Sequence, residues 1–258
     1  MSKFFYTVLL CTLVLIPALN CQARSFDEIV TSGTLRVGTT GDYKPFSFHN
    51  EGKYEGFDIA VADSFAKRLG LKLELVKTTW STLMGDLKAD KYDIGMSGIT
   101  RTIARQKEAR FSHGYVMFGK TILVTKDNKS RFKSLADVDK KGVRIGVNPG
   151  GTNEKFVKAN IKNAEVIMFK SNLEIPLAVA EKKVDVMITD SVEALYYAAT
   201  NENLSAPIAN DPFTRSELGY LMPANAERLQ DTVNFMMDQM ILKGEMASLK
   251  KQYLHIGE

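Results

Sequence analysis

Cysteine is nearly absent from the chain, and its two copies, Cys11 and Cys21, both lie close to the N-terminus. Without that segment the chain has no thiol, and therefore no disulfide and no cysteine-based metal site. The three histidines, His49, His113 and His255, lack the spacing typical of metal ligands. The sequence also lacks a G-x-G-x-x-G fingerprint after a strand, a Walker loop and a G-x-S-x-G nucleophile elbow. These absences predict a protein without a metal site and argue against a dinucleotide, P-loop or serine-hydrolase site.

Neither sign of charge dominates the sequence. It has 34 Lys and Arg against 30 Asp and Glu, a net charge of +4, and loss of Lys3 with the N-terminal segment would leave +3. This weak and well-mixed excess does not predict nucleic-acid binding, but it suits a small acidic ligand. The 258 residues are 45% hydrophobic and 25% charged, which is enough for one large or two modest cores.

Residues 1–23 have the organisation of a secretory signal peptide. Lys3 precedes an almost wholly apolar segment, residues 4–19, and Cys21-Gln22-Ala23 is an acceptable small-x-small cleavage site. The apolar segment is short for a membrane span. We therefore predict a periplasmic protein with no membrane segment after cleavage. A lipoprotein anchor on Cys21 is the alternative, although residues 18–20 are a poor approach to a lipidated cysteine.

The remaining chain alternates strands and helices, which predicts an α/β fold with parallel strands. The predicted strands are 35–39, 71–76, 92–96, 120–126, 143–147, 164–169, 184–188 and 216–222. The predicted helices are 25–32, 57–69, 79–89, 134–139, 152–159, 172–182, 225–242 and 245–253. Gly33 and Gly70 are the expected helix stops, and Ser134 and Asn172 the expected helix caps.

Two such β-α sets predict two lobes that face each other. Ligands of open parallel sheets bind beyond the carboxyl ends of the strands. We therefore expect four polar loops to converge in one cleft, namely residues 42–46, 97–100, 148–152 and 189–193.

The segment 182–194 is the most informative of these regions. It is typical of a buried strand that runs into a polar turn and then a helix, with Asp190 and Glu193 three residues apart. Three residues apart on a helix is one face, which we predict to look into the cleft. A buried carboxylic acid beside a second carboxylate can keep its proton at neutral pH. The alternative is that two acids merely favour the N-terminus of a helix through its dipole.

Several other positions have both a functional and a structural interpretation. Arg105 can hold a carboxylate bidentately, or it can be an exposed helix arginine. Gly150, Gly151 and Thr152 can form an anion nest at a helix N-terminus, or a plain turn with Thr152 as N-cap. Lys120 can face the cleft or lie exposed at a strand edge.

The aromatic residues near the strand ends have the same ambiguity. Trp80, the only tryptophan of the chain, can wall the cleft or belong to a core. Tyr43 and Phe46 can stack on a ligand ring or pack within their own loop.

Three segments resemble the amino-acid-binding family of periplasmic solute-binding proteins. They are Thr-Thr-Gly-Asp-Tyr-Lys-Pro-Phe-Ser at 39–47, Gly-Phe-Asp at 56–58, and Met-Ser-Gly-Ile at 96–99 with Arg105 six residues on. The resemblance covers nearly the whole mature chain and implies a two-lobe, periplasmic-binding-protein-like (type II) α/β fold with a central cleft and two hinge crossovers. Residues 24–115 and 217–258 would form lobe 1, and residues 116–216 lobe 2. It further implies that Arg105 and Thr152 hold a ligand α-carboxylate and that Asp190 receives the amine.

Two longer segments, 147–156 and 187–194, are similar to the periplasmic cyclohexadienyl dehydratases, which are enzymes on a binding-protein scaffold. That resemblance implies that Glu193 is the general acid. The substrate contacts that it implies are Tyr43, Trp80, Thr100, Arg105, Lys120, Asn148, Gly151, Thr152 and Asp190. The chain departs from this branch at 113–115, where family members often have a proline before the tyrosine, and at 171–175, which could line the ligand.

The activity implied by the second resemblance is conversion of prephenate to phenylpyruvate and of arogenate to phenylalanine. No cofactor is implied, because formation of the aromatic ring drives the reaction. The implied partner is a small dicarboxylate or amino-acid substrate, and the oligomeric state is left open. The alternative is a non-catalytic binding protein that delivers an amino acid to a membrane transporter. Glu193 is the position that separates the two, since a transport protein has no use for a protonated acid there.

Overall fold

The structure is a computed structural model that describes residues 23–254. The predicted leader through residue 22, with Cys11 and Cys21, and His255 near the C-terminus lie outside the described residues. Within residues 23–254, no helix is both long and apolar enough to cross a bilayer.

Strands and helices alternate along most of the described chain. The strands are β1 (Thr34–Thr39), β2 (Asp42–Tyr43), β3 (Ser47–Asn50), β4 (Lys53–Glu55), β5 (Lys72–Lys77), β6 (Ile94–Gly95), β7 (Ala109–Phe111), β8 (Val116–Phe118), β9 (Lys120–Thr125), β10 (Arg144–Val147), β11 (Glu165–Met168), β12 (Val186–Asp190), β13 (Leu204–Ser205), β14 (Ser216–Leu218) and β15 (Leu221–Pro223). The α-helices are α1 (Phe26–Ser32), α2 (Phe57–Leu69), α3 (Leu83–Lys88), α4 (Ile103–Gln106), α5 (Leu135–Val138), α6 (Thr152–Asn160), α7 (Glu174–Ala180), α8 (Ser191–Thr200), α9 (Glu227–Leu242) and α10 (Glu245–Leu254).

The first lobe is built on a five-stranded sheet in the order β5-β1-β6-β15-β7. Its strands β5, β1 and β6 are parallel, and β15 is antiparallel to both of its neighbours. The helix α2 buries Phe57, Val61 and Phe65 on one side and ends, as predicted, at Gly70, whose φ of 67° is left-handed. Residues of α9 and α10 belong to the same core, so the end of the described chain packs on this sheet.

The second lobe has its own five-stranded sheet in the order β11-β10-β12-β9-β13. Strand β12 is parallel to β10 and antiparallel to β9, and every residue of β12 and β9 is buried. The antiparallel register places Asp190, the last residue of β12, opposite Lys120, the first residue of β9. A carboxylate and an ammonium that are far apart in sequence therefore meet at one sheet edge.

The chain passes between the sheets twice. Strand β8 leads from the first sheet to the second, β14 leads back, and the two pair antiparallel with Ser216 opposite Phe118. The predicted two-lobe architecture with two crossovers is therefore present. The residue boundaries given above for the lobes fall next to these strands and remain predictions.

Several predicted elements differ in their bounds, and two of them do so for a local reason. The helix expected from residue 79 begins at Leu83, because Thr79 and Thr82 hydrogen-bond each other and Thr79 Oγ1 accepts from the Thr82 amide, forming a turn first. The strand expected over 216–222 is two strands, β14 and β15, since Gly219 and Tyr220 turn the chain from the crossover into the first sheet.

Candidate functional site

Loops from both sheets meet around a small cavity between the lobes. The cavity has a volume of about 20 Å³, little more than the space of one water molecule. It is lined by Tyr43, Trp80, Gly98, Thr100, Asn148, Gly151, Thr152, Asn153, Asn172 and Asp190. Two wider spaces, of about 670 and 520 Å³, adjoin it, and both are bordered by Trp80. The cleft is therefore closed around its centre and open beside it.

Most of the predicted contact residues come together here. Tyr43, Trp80, Thr100, Asn148, Gly151, Thr152 and Asp190 line the central cavity. Lys120 reaches the same group through Thr152 and Asp190, while Arg105 borders the adjoining space of about 520 Å³. Glu193 lies behind the wall rather than on it, in contact with Asn172, which lines the cavity.

Aromatic side chains of the first lobe form one wall. Tyr43 stacks on Phe46 with ring centroids 5.3 Å apart and meets Trp80 edge-on at 5.7 Å. The Trp80 indole N–H donates to Asp42 Oδ1 at 2.9 Å, which fixes the ring at the cavity edge. Tyr43 lines the cavity and also belongs to the core of its lobe, whereas Phe46 belongs to that core without lining the cavity, and stacking on a ligand ring remains a prediction.

A buried carboxylate holds the loop beneath this wall. Asp58 accepts from the Gly98 amide at 2.6 Å and from the hydroxyls of Tyr115 and Tyr220. Burial raises the pKa of Asp58 to about 7, although those three donors oppose the rise. Gly98 has a φ of 63°, and a β-carbon there would overlap the Tyr43 ring, so glycine is required for this close approach.

Lys120 and Asp190 form a buried ion pair at the bottom of the cavity. The Lys120 ammonium also donates to Thr152 Oγ1 at 2.9 Å and to Asn153 Oδ1 at 2.5 Å. The alternative of an exposed edge lysine was wrong, because the side chain is only 7% exposed. Asp190, the residue expected to receive a ligand amine, is thus already neutralised by a cation of the protein.

Arg105 is a buried cation without a carboxylate. Its guanidinium donates to the Thr100 carbonyl oxygen at 2.9 Å and forms no ion pair with any residue of the described chain. Burial lowers the pKa of Arg105 to about 10, while Tyr92 and Asp190 act in the opposite direction. A desolvated guanidinium is costly unless an anion satisfies it, so this position favours an anionic ligand. The alternative of an exposed helix arginine was wrong.

Glu193 is fully buried in the first turn of α8. Its carboxyl group accepts from Asn172 Nδ2 at 2.5 Å and from the Thr189 hydroxyl. Burial raises the pKa of Glu193 well above its ordinary value, Asp190 and Asp42 raise it further, and the two hydrogen bonds only partly oppose this. A raised pKa is what the predicted acid requires to keep its proton at neutral pH, and its catalytic role remains a prediction.

The geometry corrects two local interpretations. Asp190 and Glu193 do not share a helical face, because Asp190 ends β12 with extended backbone and α8 begins at Ser191. They interact through the strand-to-helix turn instead. At the other turn, Gly151 rather than Thr152 is the N-cap of α6, and the Thr152 hydroxyl receives the hydrogen bond from Lys120.

Polar contacts across the cleft join the two lobes. The Tyr43 hydroxyl donates to Asp190, and the Thr100 and Thr152 hydroxyls lie 3.3 Å apart. The Asn172 amide N–H lies 3.5 Å from Asp42 Oδ2. Burial raises the pKa of Tyr43 well above its ordinary value, with Asp190 and Glu193 contributing, so the phenol remains a hydrogen donor.

Sequence reasoning missed part of this site. Asn153 and Asn172 both line the cavity, but Asn172 was singled out only as a helix cap, although it lies in the segment 171–175 that was expected to be able to line the ligand. The residue before α7 is Leu173, and the Asn172 side chain turns to Glu193 instead. The available signal was the departure at 171–175 from the family pattern. No group of three or more His, Asp or Glu side chains among residues 23–254 could hold a metal ion.

Comparison with known proteins places this geometry in a family. The family model for bacterial extracellular solute-binding proteins, family 3, matches residues 35–256. The chain is 40% identical over 236 residues to the cyclohexadienyl dehydratase of Pseudomonas aeruginosa, covering 91% of this chain and 86% of that protein. It is 28% identical over 229 residues to the L-cystine-binding protein TcyJ of Escherichia coli, covering 88% and 85%.

Solved structures agree with the fold. A crystal structure of the ancestral amino-acid-binding protein AncCDT-1, a precursor of cyclohexadienyl dehydratase, matches with a TM-score of 0.82 and 40% identity, covering 88% of this chain and 98% of that chain. An ancestral cyclohexadienyl dehydratase matches with 52% identity and a TM-score of 0.57, covering 89% and 96%. These matches confirm the predicted two-lobe fold and the binding-protein scaffold. The chain belongs to family 3 of the bacterial extracellular solute-binding proteins.

Proposed function

We propose that this protein is a periplasmic cyclohexadienyl dehydratase, which converts prephenate to phenylpyruvate and arogenate to phenylalanine. The observation that carries the proposal is Glu193, a fully buried acid that contacts the cavity wall through Asn172 and whose pKa is raised well above its ordinary value. The similarity to the Pseudomonas aeruginosa enzyme supports it. The predicted leader and the extracellular family support the location.

The proposed reaction needs one proton at one atom. Glu193 donates its proton to the ring hydroxyl, the carbon–oxygen bond breaks with its electron pair on oxygen, and water leaves. The bond from the ring to its carboxylate breaks at the same time, so carbon dioxide leaves and its electron pair completes the aromatic ring. A well-placed general acid contributes roughly a hundred- to ten-thousandfold to such a step. The Glu193 carboxylate regains a proton from solvent when the lobes separate.

The cations of the site favour a dianionic substrate. Arg105 has no carboxylate partner in the described chain and can take one from the substrate. Lys120 already donates its three ammonium hydrogens to Thr152, Asn153 and Asp190, so a second substrate carboxylate can bind it by displacing the Thr152 or Asn153 oxygen. Trp80 borders both the central cavity and the space that Arg105 borders, and Tyr43 meets it edge-on, so the two rings offer apolar surface beside these positions.

Opening and closing of the lobes is part of the proposed cycle. A cavity of about 20 Å³ cannot admit a ring with two carboxylates, so the lobes must separate for entry. Separation withdraws Tyr43 from Asp190 and brings water near Glu193, which lowers the pKa of the acid. Glu193 therefore holds its proton most firmly when the cleft has closed over the substrate.

The second candidate is a non-catalytic amino-acid-binding protein. It is favoured by the cystine-binding relative and by the position of Asp190, which in that family would receive a ligand amine. Against it stands the Lys120–Asp190 ion pair, because an ammonium ligand would have to compete with an ammonium group of the protein, a competition that arogenate shares and the keto acid prephenate avoids.

One experiment separates the two candidates. Purified protein is mixed with prephenate, and phenylpyruvate is followed by its absorbance in alkali. Wild-type turnover that is lost in the Glu193→Gln variant would support the dehydratase. An inactive wild type that binds an amino acid with nanomolar to micromolar affinity by calorimetry would refute the dehydratase in favour of the binding protein.

A further inference from the structure

Asn172 links the buried acid to the cavity. Its side chain is almost completely buried, it lines the cavity, and its Nδ2 donates to Glu193 Oε1 at 2.5 Å. Its backbone N–H lies near Asp42 of the opposite lobe, 3.5 Å from Oδ2. One residue therefore contacts the acid, the cavity and the other lobe.

The other end of the same amide is unsatisfied. Asn172 Oδ1 is buried and accepts no hydrogen bond from any described residue. The other buried side-chain atoms without a partner in residues 23–254 are Thr121 Oγ1 and Thr125 Oγ1, which lie in β9 and not at the cavity. A buried acceptor is usually paired, so an unpaired one in a cavity wall points to a ligand that brings a hydrogen-bond donor.

The substrate of the proposed reaction has such a donor in the right place. We propose that Asn172 positions the Glu193 carboxyl through Nδ2 and accepts, through Oδ1, the hydrogen of the hydroxyl that leaves. This assignment rests on the proposed dehydratase function. In it the hydroxyl oxygen lies between two groups: Glu193 gives it a proton, and Asn172 holds the hydrogen that it already has.

The arrangement acts on the transition state more than on the bound substrate. As the oxygen takes up the proton from Glu193, positive charge builds on the departing water, and its original hydrogen becomes a stronger donor. The bond to Asn172 Oδ1 therefore strengthens as the carbon–oxygen bond breaks. The proton, the water and the electron pairs balance as in the reaction above, and no further reagent is required.

The test compares Asn172→Leu, which has nearly the same volume but neither donor nor acceptor, with wild type and with Asn160→Leu. Asn160 is the matched control, because it is the same exchange at an exposed residue that ends α6, where the side chain donates only to the Phe156 carbonyl oxygen. For Asn172→Leu we expect kcat for prephenate to fall roughly 100-fold, as when one transition-state hydrogen bond is removed, with KM changed less than about threefold. Asn160→Leu should match wild type in both.

The pH dependence of kcat is a measurement that would not change if Asn172 only packed in the cavity wall. The titratable groups that face Glu193 are Asp190, Asp42, Tyr43 and Tyr197, and none of them changes in these variants. The hydrogen bond from Asn172 lowers the pKa of Glu193, so its loss raises that pKa. The alkaline limb of the kcat profile should therefore move to higher pH in Asn172→Leu and stay in place in Asn160→Leu.

Asn172→Asp provides a rescue that does not depend on the leucine variant folding. A protonated aspartic acid has one donor and one acceptor, as the amide has, whereas the ionised form has no donor. The kcat of Asn172→Asp relative to wild type should rise as the pH is lowered, and that of Asn172→Leu should not.

The outcomes distinguish this inference from the function on which it rests. An active wild type with Asn172→Leu within about twofold in kcat and an unmoved alkaline limb would overturn the role of Asn172 alone. The same holds if Asn172→Asp shows no recovery at low pH. A wild type that forms no phenylpyruvate would overturn both.

Discussion

Replacing Glu193 with glutamine should remove turnover and make folding stability less dependent on pH. The two side chains have nearly the same shape, and Asn172 Nδ2 can donate to the amide oxygen as it does to the carboxyl. The Thr189 hydroxyl, which donates to Glu193, can rotate and accept from the glutamine amide instead. We therefore expect the fold to be kept and kcat to fall by roughly a hundred- to ten-thousandfold.

The effect on stability follows from the raised pKa of Glu193. At a pH below the pKa that Glu193 has in the unfolded chain, its carboxyl group is protonated in both the folded and the unfolded wild type, so it does not lower the free energy of unfolding. Above that pKa the unfolded chain ionises while the folded protein keeps its proton, so wild type loses about 1.4 kcal/mol of unfolding free energy per pH unit up to the folded pKa. Glutamine at position 193 does not titrate. The free energy of unfolding of Glu193→Gln should therefore rise relative to that of wild type by about 1.4 kcal/mol per pH unit as the pH rises from about 5.

The assay is urea unfolding of both proteins at pH 5, 6, 7 and 8, with prephenate turnover measured on the same samples. Glu154→Gln is the matched control, because Lys158 and the Gly150 amide lower the pKa of Glu154. A carboxylate with a lowered pKa stabilises the folded state at any pH above its pKa in the unfolded chain, and this effect is lost as the pH falls. Glu154→Gln should therefore have a lower free energy of unfolding than wild type, which is the opposite sign to Glu193→Gln. Parallel stability curves for wild type and Glu193→Gln would show that Glu193 is ionised in the folded protein and would refute the reasoning.

Three further substitutions test the walls of the cleft. Arg105→Leu should lower kcat/KM for prephenate by at least about 30-fold, which is the effect of losing one buried charge-assisted contact. Arg101→Leu, at an exposed arginine, should leave kcat/KM unchanged. Equal effects of the two substitutions would contradict an anion site at Arg105. Lys120→Met leaves Asp190 buried without its cation and should destabilise the fold by about 3–5 kcal/mol in urea unfolding. The same substitution should increase the affinity for an amino acid with a free ammonium group, measured by calorimetry. Unchanged stability would speak against a buried ion pair. Tyr43→Phe removes a hydrogen bond between the lobes worth about 1.5–3 kcal/mol and should increase the radius of gyration in solution scattering; a radius equal to that of wild type would mean that other contacts close the cleft.

Local elements of the fold were predictable because their signals are local. Helix α2 follows the spacing of Phe57, Val61 and Phe65 and ends at Gly70 as predicted. The cap at Ser134 was also correct, since its hydroxyl accepts from the Asp137 amide. The helix expected from residue 79 starts late, because threonine hydroxyls there satisfy the backbone before a helix can begin.

The site was predictable only where residue type and loop position agreed. Tyr43, Trp80 and Asp190 follow predicted strands and do line the cavity. Asn172 was misassigned, because asparagine before a helix is usually a cap and nothing nearby in sequence reveals that Glu193, 21 residues away, accepts its side-chain hydrogen bond.

By itself the sequence determined the class of protein. Its alternating elements predicted two lobes, its polar strand ends predicted a cleft, the family resemblance implied the same fold, and its few cysteines and histidines left carboxylates, cations and aromatic rings as the chemistry of that cleft. Only the tertiary structure decided what each charge does. The antiparallel register of β9 and β12 sets Lys120 against Asp190, while complete burial, rather than position on a helix face, keeps the proton on Glu193. Register and desolvation both depend on residues distant in the chain, so no local pattern could contain them.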